Sequence, residues 1–163
     1  MRPHYETQDH LANEKEIMGE ALAAWGPGIF AFKLNEHKHK IDYALTGTDR
    51  LIRAWVEIKD RPGMAFDTAR EYWISLTKWI AGVDFARVSA KPFVLLIRFN
   101  DKRIRYLSSK DYFENTGIEQ KIGINGRMDR GDPDDLEPVI YLPMRLFHEL
   151  RGPLPGRDPG EEG

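Results

Sequence analysis

Leu51-Ile52-Arg53-Ala54-Trp55-Val56-Glu57-Ile58-Lys59-Asp60 alternates along its whole length, with Ile52, Ala54, Val56 and Ile58 to one side and Arg53, Trp55, Glu57 and Lys59 to the other. A period of two marks an extended chain with one buried face. Arg61-Pro62-Gly63 closes the stretch, because proline brings no N–H to a ladder. The strand therefore presents a carboxylate, Glu57, and an ammonium, Lys59, side by side on one face.

Upstream, Ile41-Asp42-Tyr43-Ala44-Leu45 reads as a shorter strand, joined to the first by a turn at Thr46-Gly47-Thr48-Asp49. Ile29-Phe30-Ala31-Phe32 is another short apolar strand. Before it, Leu11, Ile17, Met18, Ala21, Leu22 and Trp25 recur at helical spacing until Gly26-Pro27-Gly28 stops them. Downstream, Ala69, Trp73, Leu76 and Ile80 predict a second helix from Asp67 to Ala81, capped by Asp67 and ended by Gly82. Phe93 to Phe99 is a nearly unbroken apolar run, as in a central strand covered on both faces, with Ile104 to Leu107 as its hairpin partner across Asn100-Asp101-Lys102. Pro138 to Pro143 reads as a short strand and Met144 to Leu150 as a closing helix. Gly123 to Arg127 and Asp129 to Glu137 are expected to be loops. The order is αβββαβ, an α/β fold with a mixed central β-sheet flanked by helices.

A chain of 163 residues, 41% hydrophobic, supports one core. Residues 1–151 are expected to form a single domain and 152–163, rich in proline, glycine and acid, a disordered tail. No apolar run approaches the roughly 18 residues of a membrane span, and no signal peptide is visible, so a cytoplasmic protein is expected. The absence of cysteine excludes disulfides, thiolate metal sites and a cysteine nucleophile. Net charge is -2, but it is divided unevenly: up to Lys110 there are 18 basic and 14 acidic residues, and beyond it 6 and 12. Phosphate binding depends on such local basic surface, so the balance leaves room for a nucleic-acid partner.

A hairpin turning near Gly47 would bring Asp42 beside Glu57. Two carboxylates and the Ile58 backbone carbonyl make an all-oxygen metal site suited to Mg²⁺, with Mn²⁺ as a substitute. Such a site serves phosphodiester hydrolysis, where water must be activated and charge on the phosphoryl oxygens relieved. Lys59 is placed to orient the water or stabilise that charge. A cross-strand ion pair on an exposed sheet face is the plainer account of the same three residues. His37 and His39 lack a nearby third ligand for zinc, and with Lys33, Lys38 and Lys40 they read as a basic, phosphate-facing segment. Arg98, Lys102, Arg103 and Arg105 form a second basic stretch, for which a solvated hairpin surface is the plainer account and backbone contacts the alternative.

Asp42, fourteen intervening residues and Glu57-Ile58-Lys59 resemble the signature of the PD-(D/E)XK nuclease superfamily. The element order from Leu11 to Leu107 is similar too; Ile41 stands where the signature has proline. The resemblance implies a restriction-endonuclease-like core, with Asp42, Glu57 and Lys59 catalytic. It also implies a carboxylate on the first helix reaching the metal, for which Glu14, on the apolar stripe, is the candidate. Polar residues of the second helix would meet the scissile phosphate; Tyr72, Ser75 and Lys78 are available, as are Lys38 and Lys40 for backbone contacts. The implied activity is metal-dependent cleavage of nucleic acid, with DNA favoured, by a small endonuclease similar to Holliday-junction resolvases, repair nucleases or phage nucleases. Junction resolution would require a homodimer. The alternative is a non-catalytic nucleic-acid-binding or assembly protein keeping the fold, against which the intact Asp42, Glu57 and Lys59 speak.

Overall fold

In the computed structural model of the protein, residues 7–35, 38–115, 117–126 and 136–156 are described. Helix α1, Gln8–Trp25, starts at Thr7, whose side chain accepts from the His10 N–H, and stops at Gly26 with φ 90. It buries Ile17, Met18, Ala21 and Trp25. The strands β1 (Phe30–Lys33), β2 (Tyr43–Thr46) and β3 (Ile52–Asp60) follow as an antiparallel meander. β5 (Phe93–Arg98) lies parallel to β3, and β6 (Ile104–Ser108) returns antiparallel to β5. With β9 (His148–Glu149) at the far edge, the six-stranded order is β1-β2-β3-β5-β6-β9, a mixed central sheet. All six residues of β5 are buried, as a central strand between two layers must be.

The alternation of β3 separates two cores. Ala54, Val56 and Ile58 face α1 with Leu45, Val94 and Leu96. On the opposite face Phe93, Leu95 and Ile97 pack under α2 (Leu76–Ser89), under α3 (Ser109–Glu114) and under a second sheet of three strands in the order β4 (Glu71–Ser75), β8 (Leu136–Pro143), β7 (Lys121–Gly126). Trp55, beside them, stacks on Phe85 of α2, with ring centroids 4.5 Å apart, and donates to Ser89 Oγ at 2.9 Å.

The second helix begins nine residues later than its spacing predicts. Glu71–Ser75 is strand β4, alternately half-buried and buried, and pairs antiparallel with β8 (Leu136–Pro143). Tyr72 and Ile74 dock against Leu142 and Ile140, so a partner more than sixty residues away overrides the local helical spacing. Tyr72 and Ser75 therefore lie on a strand and at a helix boundary, and only Lys78 lies on the helix. Gly82 does not end α2; it sits inside it, where a Cβ would come within 2.5 Å of the Phe93 ring. The missing side chain lets the helix settle on β5, which offsets the helical penalty of glycine.

Gly123 to Gly126, expected as loop, belongs to β7 (Lys121–Gly126), paired with β8. The predicted closing helix is a single 3-10 turn, Met144–Leu146, followed by β9, which finds an open edge at β6. In the stretch from Gly152 expected to stay outside the core, Leu154 is 2% exposed and packs in the α1 core; residues 157–163 lie outside the described residues, as do 127–135. No helix among the described residues is long and apolar enough to cross a membrane.

Candidate active site

Asp42 stands one residue before β2, and its backbone already joins the ladder: its N–H donates to the Val56 carbonyl at 3.2 Å and its carbonyl accepts from Leu34 N–H at 2.8 Å. Its side chain crosses to β3, where Oδ2 accepts from the Ile58 N–H at 2.8 Å. The strand-end position and this bond fix the carboxylate without a second side chain. Glu57 enters from the middle of β3 and is fully buried. Its Oε1 accepts from Lys59 Nζ and, at 2.5 Å, from Lys78 Nζ in the first turn of α2. Its Oε2 is buried without a hydrogen-bond partner.

The two carboxylates share their cations. Lys78 Nζ is 3.9 Å from Asp42 Oδ1, and so is Lys33 Nζ, which also binds Glu14 Oε2 on α1 at 2.5 Å. Burial alone would push the Asp42 carboxyl up, but Lys59, Lys78, the Ile58 N–H and Lys33 together hold it below the usual carboxylate range. Complete burial pushes Glu57 up. Burial would push Lys59 down; contact with Glu57 and Asp42 reverses this and keeps it an ammonium. Three carboxylates, Glu14, Asp42 and Glu57, thus face three ammonium groups, Lys33, Lys59 and Lys78.

The structure brings together Asp42, Glu57, Lys59 and Lys78. It links Glu14 to them through Lys33 rather than directly, and among the described residues no three His, Asp or Glu side chains are grouped closely enough to hold a metal by themselves. Tyr72 is 3% exposed beneath Arg61, whose guanidinium lies 5.8 Å from its ring. Ser75 is drawn away, donating to Glu137 at 2.8 Å. Lys38 and Lys40 are exposed in the loop between β1 and β2, and His37 lies outside the described residues. Of the second basic stretch, Arg98 is spent on Asp60 and Glu16, and Arg105 on Asp101 and the Phe66 ring, so both are structural. The pattern of the sequence placed Lys33 in a phosphate-facing basic segment rather than against Glu14 and Asp42, and it passed over Arg61, the cation next after the Glu57-Ile58-Lys59 strand.

The donor set suits a hard divalent cation: two carboxylate groups, one with a bare buried oxygen and the other bonded to the Ile58 backbone N–H. The ammonium groups now neutralise those carboxylates, so an added dication would leave the site with surplus positive charge. A phosphodiester is the natural counterpart of that surplus.

Among curated proteins none matches the chain. A solved structure of Archaeoglobus fulgidus Hjc, a Holliday junction resolvase from an archaeal hyperthermophile, is similar over 83% of this chain and 95% of that one, with a TM-score of 0.49 and 13% identity, a likeness too slight to carry activity or substrate. A family model described as "Phage putative PDDEXK endonuclease" matches residues 1–150, nearly the whole chain and all of the site just described. The chain belongs to that family of PDDEXK endonucleases, and it is a nuclease.

Proposed function

We propose that the protein is a Mg²⁺-dependent DNA endonuclease acting inside the cell, with Mn²⁺ as a working substitute. Asp42, Glu57 and the Ile58 carbonyl would hold the metal, and Glu14, coupled through Lys33, would support them from α1. The observation that carries this reading is the meeting of Asp42, Glu57, Lys59 and Lys78 where the start of β2, the second half of β3 and the first turn of α2 come together, in a chain whose family is nuclease.

A bound divalent ion would supply Lewis-acid polarisation of water and phosphoryl oxygen. The remaining work belongs to the chain. Asp42 is held by the Ile58 N–H, so its second oxygen stays turned toward Lys33 and Lys78. Lys59, anchored on Glu57, keeps a proton-rich amine where an attacking water or a phosphoryl oxygen would lie, and as an ammonium it stabilises negative charge better than it accepts a proton. Lys78 joins from the helix and draws the phosphate toward the same point. Because Glu57 is dry, its contacts with Lys59 and Lys78 act at lower dielectric than a surface pair would.

Purified protein is expected to nick or degrade DNA with Mg²⁺ or Mn²⁺ and to be silenced by chelation, with Asp42→Ala and Lys59→Ala each inactive. Metal-dependent cutting that survives both changes would refute the assignment. Duplex, single-stranded and branched DNA and RNA, digested side by side, read the substrate. Symmetric cutting of a branch would require a homodimer, which sedimentation measures directly.

A further inference from the structure

β1 is the outermost strand of the large sheet, bonded within it to β2 alone. Phe30 and Phe32 are two apart and leave the same face, 49% and 53% exposed. Ala31 and Lys33 leave the other, toward the α1 core and Glu14. Register says which face the rings occupy. Phe32 lies opposite Ala44, and Ala44 opposite Trp55. Ala44 shares its face with Asp42, two residues back, and Trp55 with Glu57. The two phenyl rings therefore stand on the face that carries Asp42 and Glu57, with Phe32 diagonal to Asp42 on the neighbouring strand, about 7–8 Å away between backbones. The exposed Lys38 and Lys40 belong to the loop that leads from these rings to Asp42.

We infer that Phe30 and Phe32 are a stacking platform for unpaired bases, so that the nuclease takes nucleic acid with a single-stranded segment, such as a flap, gap or branch, beside the cleavage point. This rests on the nuclease reading and adds the form of the substrate to it. A duplex buries its base faces and offers a protein edge mainly phosphate, to which a phenyl ring gives nothing. An unstacked base offers a bare π-face, and aromatic side chains next to lysines are the usual means of holding one. Area argues against a second copy of the chain as the occupant. Two half-exposed phenyl rings offer together about 200 Å², against roughly 800 Å² per partner in a stable protein interface. That is ample for one or two bases.

The experiment is fluorescence anisotropy of the full chain with a labelled single strand, the matching blunt duplex and a branched duplex, in EDTA so that nothing is cut, followed by digestion of the same oligonucleotides in Mg²⁺. Phe30→Ala/Phe32→Ala is expected to weaken single-strand and branch binding at least about tenfold and duplex binding less than about twofold. The Tyr pair at the same positions is expected to restore it. Equal losses on all three, or none, would overturn the inference while leaving a cutting wild type a nuclease. A dimer in sedimentation that the double alanine variant dissolves would overturn it in favour of a second copy. A wild type that neither binds nor cuts any of the three removes the nuclease reading, and this one with it.

Discussion

Tyr72→Phe is expected to make the metal-free protein more stable. The Tyr72 hydroxyl is buried and has no hydrogen-bond partner. Arg61, whose guanidinium lies over the ring, has only donors to give, so even a contact with the phenol oxygen would leave the phenol proton unused. Burial pushes this phenol up, and Arg61 pulls it back in part, so at neutral pH it is a neutral O–H with nothing to accept from it. A buried polar group left unsatisfied costs about 1–3 kcal/mol. Removing the oxygen keeps the ring, its packing beneath Arg61 and its edge contact with Phe147 at 6.4 Å between centroids, so little is lost in exchange. In a domain of this length each kcal/mol moves the midpoint by about 2–4 °C, which puts the expected rise at roughly 2–12 °C. Thermal melts and urea titrations in EDTA, wild type against variant, measure it. Because both Arg61 and the charge of Glu57 act on the phenol, the same variant is expected to cut more slowly, the exchange of stability for function common in active sites. A midpoint that falls or stays put refutes the reasoning, since it would mean that the hydroxyl is satisfied in the free protein.

Gly82→Ala adds a methyl 2.5 Å from the Phe93 ring, so despite the better helix propensity of alanine it is expected to destabilise by about 1–3 kcal/mol, read from a urea titration; a gain would mean that α2 rides higher on β5 than described. Asp60 is held below the usual carboxylate range chiefly by its hydrogen bonds from Arg98, so what the pair adds to stability is complete above about pH 4 and is lost as pH falls through the lowered value. The melting-point gap between wild type and Asp60→Asn should accordingly be full at pH 6 and shrink by pH 3, and a constant gap would show that the ion pair is not its source.

The parts of the fold legible in the sequence were those whose signal is local. β3 and β5 announce themselves by alternation and by an unbroken apolar run, and the spacing of Asp42, Glu57 and Lys59 needed only a hairpin to become a cluster. β4 did not announce itself. Ala69, Trp73, Leu76 and Ile80 fall by coincidence at helical spacing, while the strand that captures Tyr72 and Ile74 comes more than sixty residues later. β7 fails for the same reason: Ile122 and Ile124 alternate, but only β8 makes the alternation a strand. Lys33 was read as basic surface and not as a neighbour of Asp42 because alternation assigns its Cβ to the α1 side, and only the reach of a four-carbon stem returns the ammonium to Asp42. The bond that turns Glu14 toward Lys33 rather than directly to the other carboxylates is likewise a matter of side-chain reach, which spacing along a helix does not encode.

Arg98 holds Asp60 on β3 and, at 3.1 Å, Glu16 on α1, while two residues earlier on the same helix Glu14 holds Lys33 of β1. Two helical positions are about 200° of rotation apart, so the ties grip α1 on opposite flanks. The helix cannot roll over the sheet without breaking one of them, and its angular setting decides where Glu14 points. Glu16 is mostly in solvent, 60% exposed, and belongs to none of the chemistry. It nonetheless works as a stop on the rotation of the helix, so the aim of the site can be adjusted from the outer surface of the molecule by residues that never meet the substrate.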